Sequence, residues 1–195
     1  MSRTYSFGQF ICRTYFRLFY RVKLIGRENI PSDGGVLLCS NHIHILDPPL
    51  VGAFLKRQTK FMAKAELFEA PILKTILPKV GAFPIRRGMS DRQALRAGLK
   101  LLKEQEVVGV FPEGTRSQTG ELSKGLAGVG FFALRSNAYI VPCALISSYK
   151  LFSQLKVVYG PPIDMSVVRD NKASPEEATE EIMMGIQRLL DEHRK

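Results

Sequence analysis

Residues 36–47 read VLLCSNHIHILD, and this stretch decides the fold. It opens with a short apolar run that follows a turn-forming segment, residues 31–35, which is typical of a buried strand. A polar cluster, Asn41–Asp47, comes directly after the run. Functional side chains of α/β domains gather in the loops where strands end. The stretch therefore predicts a strand whose following loop carries function.

The same arrangement occurs a second time along the chain. The apolar run Val107–Phe111 is followed directly by a polar loop, Pro112–Ser117. Further strands are expected at Lys60–Ala63, Val80–Ile85, Tyr139–Ile146 and Leu155–Tyr159. Helices are expected at residues 50–55, 95–102, 126–134 and 174–190. Strands that alternate with helices predict a single α/β domain with a mostly buried central sheet flanked by helices.

Two of the expected helices carry recognisable start signals. Ser90 and Gln93 have the spacing of a capping box before the helix at residues 95–102. In the last helix, Ser174 is expected at the N-cap, Pro175 at the first helical position and Glu177 as the partner in the box.

The first 24 residues are expected to form an amphipathic segment separate from the main domain, which we place at 25–195. Drawn as a helix, this segment has aromatic and apolar side chains on one face, at Phe7, Ile11, Tyr15, Leu18 and Phe19. Arginines form an adjacent stripe, at Arg13, Arg17 and Arg21. Such a helix is typical of the membrane interface. The alternative is a helix packed on its own domain with solvated arginines.

Charge and composition narrow the class of partner. Twenty-eight Lys and Arg stand against eighteen Asp and Glu, a formal net charge of +10. This balance favours anionic partners such as lipid headgroups, phosphorylated substrates or an acidic carrier protein. No nucleic-acid-binding motif is recognisable, so nucleic acid is not an expected partner. The scattered cysteines and the arginine-interrupted N-terminus favour a reducing compartment over secretion, and we expect a peripheral (monotopic) protein at the cytoplasmic face of the membrane.

His42 and Asp47 form a candidate general-base pair. They are five residues apart, so a turn can bring them side by side. A carboxylate bonded to one ring nitrogen fixes the imidazole tautomer and leaves the other nitrogen free to accept a proton. A metal site built from His42, His44 and Asp47 is an alternative, which would suit a metallohydrolase. We prefer to interpret His44 as a loop-packing residue.

Candidate substrate-binding residues lie in three other places. In the second polar loop, Gly114 permits a tight turn, Thr115 offers a neutral donor, and Arg116 presents a planar fork suited to phosphate. Arg86 and Arg87 leave an expected strand and suggest anion binding. Each of these segments also fits an ordinary solvated loop. Lys64 is a further cation candidate that can equally pair with Glu66.

Together, four blocks in order resemble the glycerol-phosphate and lysophosphatidic acid acyltransferases, often called PlsC-like. The resemblance covers residues 35–142. The blocks are Asn41-His42 with Asp47, then Arg87 and less securely Arg86, then FPEGTRS at 111–117, and finally Ile140–Pro142. Two departures stand out, because His44 occupies a position where members carry serine and Arg86 one where many carry aspartate.

The resemblance implies acyl transfer from a thioester to the free hydroxyl of 1-acylglycerol 3-phosphate, which yields phosphatidic acid. His42 would deprotonate the hydroxyl and Asp47 would hold His42. The implied phosphate ligands are Arg87 and Arg116, with Lys64 a weaker one, while Glu113 and Gly114 would shape the acceptor site. The donor would be acyl-coenzyme A or an acyl-carrier protein, without a covalent acyl-enzyme, metal or cofactor.

Several alternatives remain open at this stage. The acceptor can instead be glycerol 3-phosphate or another lysophospholipid, although the match to EGTR at 113–116 favours lysophosphatidic acid. A protein of another class, a non-catalytic binder of anionic lipid, would also suit the positive charge.

Overall fold

The computed structural model describes residues 3–86 and 91–194. The fold has three layers, with one seven-stranded sheet between two layers of helices. The strands are β1 Arg21–Ile25, β2 Val36–Ser40, β3 Thr59–Lys64, β4 Phe83–Ile85, β5 Val107–Val110, β6 Tyr139–Ile146 and β7 Gln154–Tyr159. The helices are α1 Arg3–Phe19, α2 Asp47–Ala53, α3 Leu73–Lys79, α4 Arg92–Lys103, α5 Ala127–Arg135, α6 Ser166–Asp170 and α7 Pro175–His193. Short 3-10 turns occupy Arg27–Asn29 and Ala65–Phe68. The expected α/β class with a central sheet is confirmed.

The sheet is mixed, with the strand order β1-β7-β6-β2-β5-β3-β4. The pairs β6–β2, β2–β5, β5–β3 and β3–β4 are parallel, so these five strands run in one direction. The pair β6–β7 is antiparallel, and β1 runs parallel to β7. The carboxyl ends of β2 to β6 therefore meet at one edge of the sheet, called the site edge below.

The central strand β2 is buried along its whole length because helices cover both of its faces. Leu37 and Cys39 face the layer that contains α4, α5 and α7. Val36 and Leu38 face the layer of α1 and α2. A strand covered on both sides is expected to be a continuous apolar run, which explains the pattern at residues 36–39.

The N-terminal helix ends earlier than the basic stripe implied. It stops at Phe19, and Arg21 starts strand β1 instead of extending the arginine stripe of the helix. Residues 21–24, assigned from the sequence to the N-terminal segment, thus belong to the sheet. The helix is fastened to the domain by Gln9, whose amide nitrogen donates to the carbonyls of Gly52 and Leu55, at 3.1 Å each.

The packed face of α1 is the one opposite to the aromatic face. Tyr5, Gln9 and Phe16 are buried, whereas the apolar face is exposed: Phe7, Ile11, Tyr15, Leu18 and Phe19. The helix therefore packs on its own domain, as the alternative expected, but through a face other than the apolar one. No helix in residues 3–86 or 91–194 is both long enough and apolar enough to cross a membrane.

Other boundaries differ for local reasons. The helix expected at residues 50–55 begins at Asp47, because two prolines suit its first turn. The strand expected at Val80–Ile85 is shortened by the unpredicted helix α3 and the turn after it.

Ser90, the N-cap expected for the helix at residues 95–102, lies outside the described residues. The N-cap of α4 is Asp91, which accepts hydrogen bonds from the amides of Gln93 and Ala94. The capping box at Ser174 and Glu177 is confirmed.

Candidate active site

The two polar loops predicted from the sequence lie side by side at the site edge. Strands β2 and β5 are adjacent and parallel, with Cys39 opposite Val110, so their following loops leave the sheet together. The amide of Ser117 in the second loop donates to the carbonyl of His42 in the first, at 2.7 Å. This contact joins the two sequence clusters into one site.

His42 and Asp47 form a buried hydrogen-bonded pair. His42 Nδ1 lies 2.8 Å from Asp47 Oδ2, and the aspartate is fully buried. The same oxygen accepts the amides of Ile43 and His44, at 2.6 and 2.7 Å. An ionised carboxylate only accepts hydrogen bonds, so the shared proton belongs to Nδ1. Nε2 of His42 is consequently the nitrogen with a free lone pair, as a general base requires.

Tyr149 completes the surroundings of Asp47, and the sequence did not reveal it. This residue follows β6, and its hydroxyl donates to Asp47 Oδ1 at 2.5 Å. Burial, together with the negative charge of Asp47, raises the pKa of Tyr149 well above its ordinary value. The phenol therefore remains a donor at neutral and moderately alkaline pH. A tyrosine three residues beyond an expected strand was the signal available, and it is a weak one.

The imidazole of His42 is held by stacking as well as by hydrogen bonding. Its ring lies on that of Phe111, with centroids 4.1 Å apart and planes inclined by 22°. Phe61 also stacks on Phe111, with ring centroids 5.8 Å apart. Two constraints, the carboxylate at Nδ1 and the aromatic face, thus determine the orientation of the ring.

Asn41 attaches the start of the loop between β2 and α2, residues 41–46 and called the histidine loop below, to the neighbouring strand β6. Its side-chain oxygen accepts the amide of Leu145 at 2.7 Å, and its side-chain nitrogen donates to the carbonyl of Leu145 at 3.0 Å. The amide thereby imitates one more residue of the β ladder after β2 ends. This pairing fixes the direction in which the chain leaves the sheet towards His42.

Glu113 binds the loops to each other. Its Oε1 accepts the amide of His42 at 2.8 Å, and its Oε2 accepts the amide and hydroxyl of Ser123, at 3.0 and 2.7 Å. Both carboxylate oxygens are therefore occupied by the protein itself, and the residue is buried. Glu113 thereby positions the backbone of His42.

Gly114 is required by the backbone at its position. Its φ is +67°, a left-handed backbone conformation in which a residue with a Cβ would be strained. The next two residues, Thr115 and Arg116, are exposed. The turn at Gly114 therefore presents both side chains to solvent at the site edge.

The cation candidates differ in how the structure places them. Arg86 is exposed and lines an apolar cleft of about 300 Å³ together with Phe111 and Thr115. Lys64 is half-exposed and forms an ion pair with Glu66, with 3.3 Å between Nζ and Oε1. Arg87 lies outside the described residues.

His44 has the surroundings of a loop-packing residue. Its ring stacks on Tyr149, with centroids 4.2 Å apart, and its Nδ1 accepts the amide of Leu46 at 3.3 Å. Within residues 3–86 and 91–194, no three side chains of His, Cys, Asp or Glu are grouped as metal ligands would be.

The part of the chain that matches a known protein family includes both loops of the site. The acyltransferase family model matches residues 21–146. The 1-acyl-sn-glycerol-3-phosphate acyltransferase of Bacillus subtilis is 34% identical over 149 residues, which are 73% of this chain and 73% of that protein. A chloroplastic 1-acyl-sn-glycerol-3-phosphate acyltransferase of Arabidopsis thaliana is 31% identical over 153 residues, 75% of this chain and 43% of the plant protein.

The fold also has a solved counterpart. The crystal structure of the 1-acyl-sn-glycerophosphate acyltransferase PlsC from Thermotoga maritima superposes with a TM-score of 0.79, covering 97% of this chain and 80% of that one at 22% identity. The family model covers more than half of the chain, so the fold and the matched region define an α/β acyltransferase. More narrowly, the protein belongs to the 1-acylglycerol-3-phosphate acyltransferase family.

Proposed function

We propose that this protein transfers a fatty acyl group from a thioester to the free hydroxyl of 1-acylglycerol 3-phosphate, forming phosphatidic acid for phospholipid synthesis. The observation that carries the proposal is the buried pair of His42 and Asp47 at the site edge, beside a loop that exposes Arg116. This combination supplies a base for a hydroxyl and a cation for a phosphate on the same substrate.

In the proposed reaction, the hydroxyl oxygen attacks the carbonyl carbon of the thioester while His42 Nε2 takes the hydroxyl proton. Asp47 stabilises the imidazolium that results. The tetrahedral intermediate then expels the thiolate as the carbon–sulfur bond breaks. The thiolate receives the proton from His42, which restores the base. No covalent acyl-enzyme is formed because the bound alcohol is itself the nucleophile.

The substrate phosphate would be held by arginine. Arg116 is the first candidate because it adjoins Ser117, whose amide bonds the carbonyl of His42. Arg86 is a second candidate at the cleft, Arg87 is proposed from the family pattern alone, and Lys64 is weaker because it already has an anionic partner. The apolar lining of the cleft suits an acyl chain.

The donor is proposed to be acyl-coenzyme A or an acyl-carrier protein. Both are anionic, so the net charge of +10 suits either one. Glycerol 3-phosphate and other lysophospholipids are alternative acceptors for the same base. The names of the relatives favour 1-acylglycerol 3-phosphate.

We further propose that the protein binds peripherally to an anionic membrane surface on the cytoplasmic side. The exposed face of α1 is apolar and aromatic, its sequence contains no acidic residue, and Arg17 is exposed beside it. An unpaired apolar face flanked by arginines is typical of helices that lie in the interface. Membrane binding would place the site where its lipid acceptor and product reside.

The test is thiol release from palmitoyl-coenzyme A and from palmitoyl-acyl-carrier protein, with and without 1-acylglycerol 3-phosphate, followed by mass spectrometry of the lipid. We expect release that depends on the acceptor, with phosphatidic acid as product, and the preferred thioester identifies the donor. Release without acceptor would indicate a thioesterase. Absence of release with any acceptor would favour a non-catalytic lipid-binding protein.

A further inference from the structure

The loop between β6 and β7, residues 147–153, carries an exposed apolar tip that the acyl-transfer chemistry does not use. Leu151 and Phe152 are adjacent at this tip, with 64% and 66% of their surfaces exposed. Loop tips that face water are usually polar or rich in glycine. Two neighbouring large apolar side chains at a tip therefore suggest a partner that covers them.

The backbone of this loop is held in an unfavourable conformation. Phe152 has a φ of 60° and Tyr149 a φ of 52°, in the left-handed region that bulky residues seldom adopt. Glycine or asparagine would be the favourable choice at such positions. The exposed side chain of Phe152 contributes little packing to the domain, so the strain at its backbone points to a role in binding.

The loop is fastened to the end of α1. The amide of Phe152 donates to the carbonyl of Phe19 at 2.8 Å, the Nε of Arg21 donates to the carbonyl of Phe152 at 3.1 Å, and the amide of Arg21 donates to Ser153. Phe19 is part of the exposed apolar face of α1. The tip of the loop thus extends that face at the site edge of the domain.

Charge selects an anionic bilayer as the partner. The loop reads SSYKLFS, and its one charged residue, Lys150, is exposed. Arg21 and Arg17 are also exposed nearby, while α1 contributes no acidic residue. Apolar side chains surrounded by cations match the interface of an anionic leaflet, where the apolar groups enter the acyl region and the cations meet the headgroups.

We propose that Leu151 and Phe152 form a second membrane-contacting element, which inserts into the same anionic leaflet as α1. The proposal rests on the membrane association proposed above. The same loop carries Tyr149, whose hydroxyl bonds Asp47. Insertion of the tip would therefore bring the bilayer to the side of the site where the base pair lies.

The chain contains no tryptophan, so Phe152→Trp gives a protein with a single tryptophan as its reporter. With vesicles of phosphatidylcholine and phosphatidylglycerol, we expect its emission to shift to the blue and to be quenched by brominated lipids. The matched control is Val167→Trp. Val167 is 64% exposed but lies on α6 at the opposite edge of the sheet, near the bridge between Ile140 and Ile163, and we expect no change there.

A second variant tests affinity without disturbing the loop. In Leu151→Ser with Phe152→Asn, asparagine tolerates the left-handed backbone, and we expect vesicle partitioning to fall about tenfold or more. Val167→Ser should partition like the wild type. Melting temperatures equal to that of the wild type would show that the fold is intact.

Three results would overturn the proposal. Tryptophan at position 152 could remain water-exposed while the protein sediments with vesicles, which would leave α1 as the membrane contact. The emission could instead shift with protein concentration in the absence of lipid, which would indicate contact between copies of the chain. Lastly, the wild type could fail to sediment with anionic vesicles at all. Acyl transfer to a short-chain, water-soluble acceptor is measured separately, so failure of the proposed reaction would be recognised independently.

Discussion

Asp47 shows how much of the site depends on single residues. Its fully buried carboxylate accepts the imidazole of His42, two backbone amides and the hydroxyl of Tyr149. A buried charge is costly unless donors surround it. The structure supplies these donors from the histidine loop and from the chain after β6, which compensates for the burial of the carboxylate and lets it hold His42 in one orientation.

Replacing the base should abolish most of the activity. For His42→Ala, we expect kcat for transfer to 1-acylglycerol 3-phosphate to fall about 10²- to 10⁴-fold, the usual contribution of a general base. The assay is acceptor-dependent thiol release. The matched control is His44→Ala in the same loop, which should keep most of the activity because the side chain of His44 contacts Tyr149 and the amide of Leu46 and does not bond Asp47. Equal losses in both variants would remove His42 from its proposed role.

Tyr149 should act by positioning Asp47. In Tyr149→Phe the ring remains but the donor to Asp47 Oδ1 is lost, so we expect kcat to fall about tenfold, with KM for both substrates little changed. Tyr139→Phe is the control, because Tyr139 is exposed at the start of β6. Wild-type kcat in Tyr149→Phe would show that the hydrogen bond has no catalytic consequence.

Arg116 should determine affinity for the phosphate of the acceptor. Loss of a charge-assisted hydrogen bond to phosphate raises KM by about one to two powers of ten. We expect this increase in Arg116→Ala for 1-acylglycerol 3-phosphate and not for the thioester. Arg135→Ala is the control, since Arg135 is exposed at the end of α5. An increase confined to the KM of the thioester would assign Arg116 to the donor.

At the scale of elements, the site depends on how two loops are joined. The loops after β2 and β5 leave adjacent parallel strands, and Glu113 connects them through His42 and Ser123. Strand pairing brings the loops to one edge, but it does not set the height or the angle of His42. Glu113 and Ser117 hold the backbone of His42, and Asp47 and Phe111 orient its ring.

Glu113→Gln tests this connection. A glutamine would present an NH₂ group either to the buried amide of His42 or to the amide of Ser123, and one of these two donors would lose its acceptor. We expect the free energy of unfolding to fall by about 1–3 kcal/mol, measured by urea denaturation, together with a lower kcat. Glu121→Gln replaces an exposed carboxylate and should change stability by less than about 0.5 kcal/mol. Equal stability of both variants would contradict the role assigned to Glu113.

On the scale of the whole molecule, several phenols are buried in different layers. Burial raises the pKa of Tyr5, Tyr149 and Tyr159 above the ordinary value of 10.0. In the unfolded chain these groups lose their protons near pH 10, whereas the folded state retains them. Their contribution to stability is therefore complete below about pH 10 and is lost as the pH rises further.

The alkaline stability should reflect this difference. We expect the free energy of unfolding to decrease between about pH 10 and pH 11, by about 1.4 kcal/mol per pH unit for each phenol that stays protonated only in the folded state. Tyr149→Phe should remove one such contribution and give a shallower decline. Urea denaturation at each pH measures the free energy of unfolding. Identical slopes for the wild type and for Tyr149→Phe would contradict the burial of the Tyr149 hydroxyl.

The sequence alone determined those features that are written in short windows. The doubly buried strand β2 reads as an apolar run, the capping box of α7 as a fixed spacing, and the family as blocks from Asn41 to Pro142. The sequence also predicted the apolar face of α1. Each is local because periodicity and caps involve residues only a few positions apart. The roles of the individual site residues remain predictions.

Only the tertiary structure decided which distant residues meet. The contact of Tyr149 with Asp47 spans 102 residues, and that of Glu113 with His42 spans 71. Both depend on the order of strands β6, β2 and β5, and that order results from burial summed over the whole sheet. The tertiary structure also decided that the aromatic face of α1 points outwards. A helical wheel shows that a face is apolar, but what covers the face depends on where the rest of the chain packs.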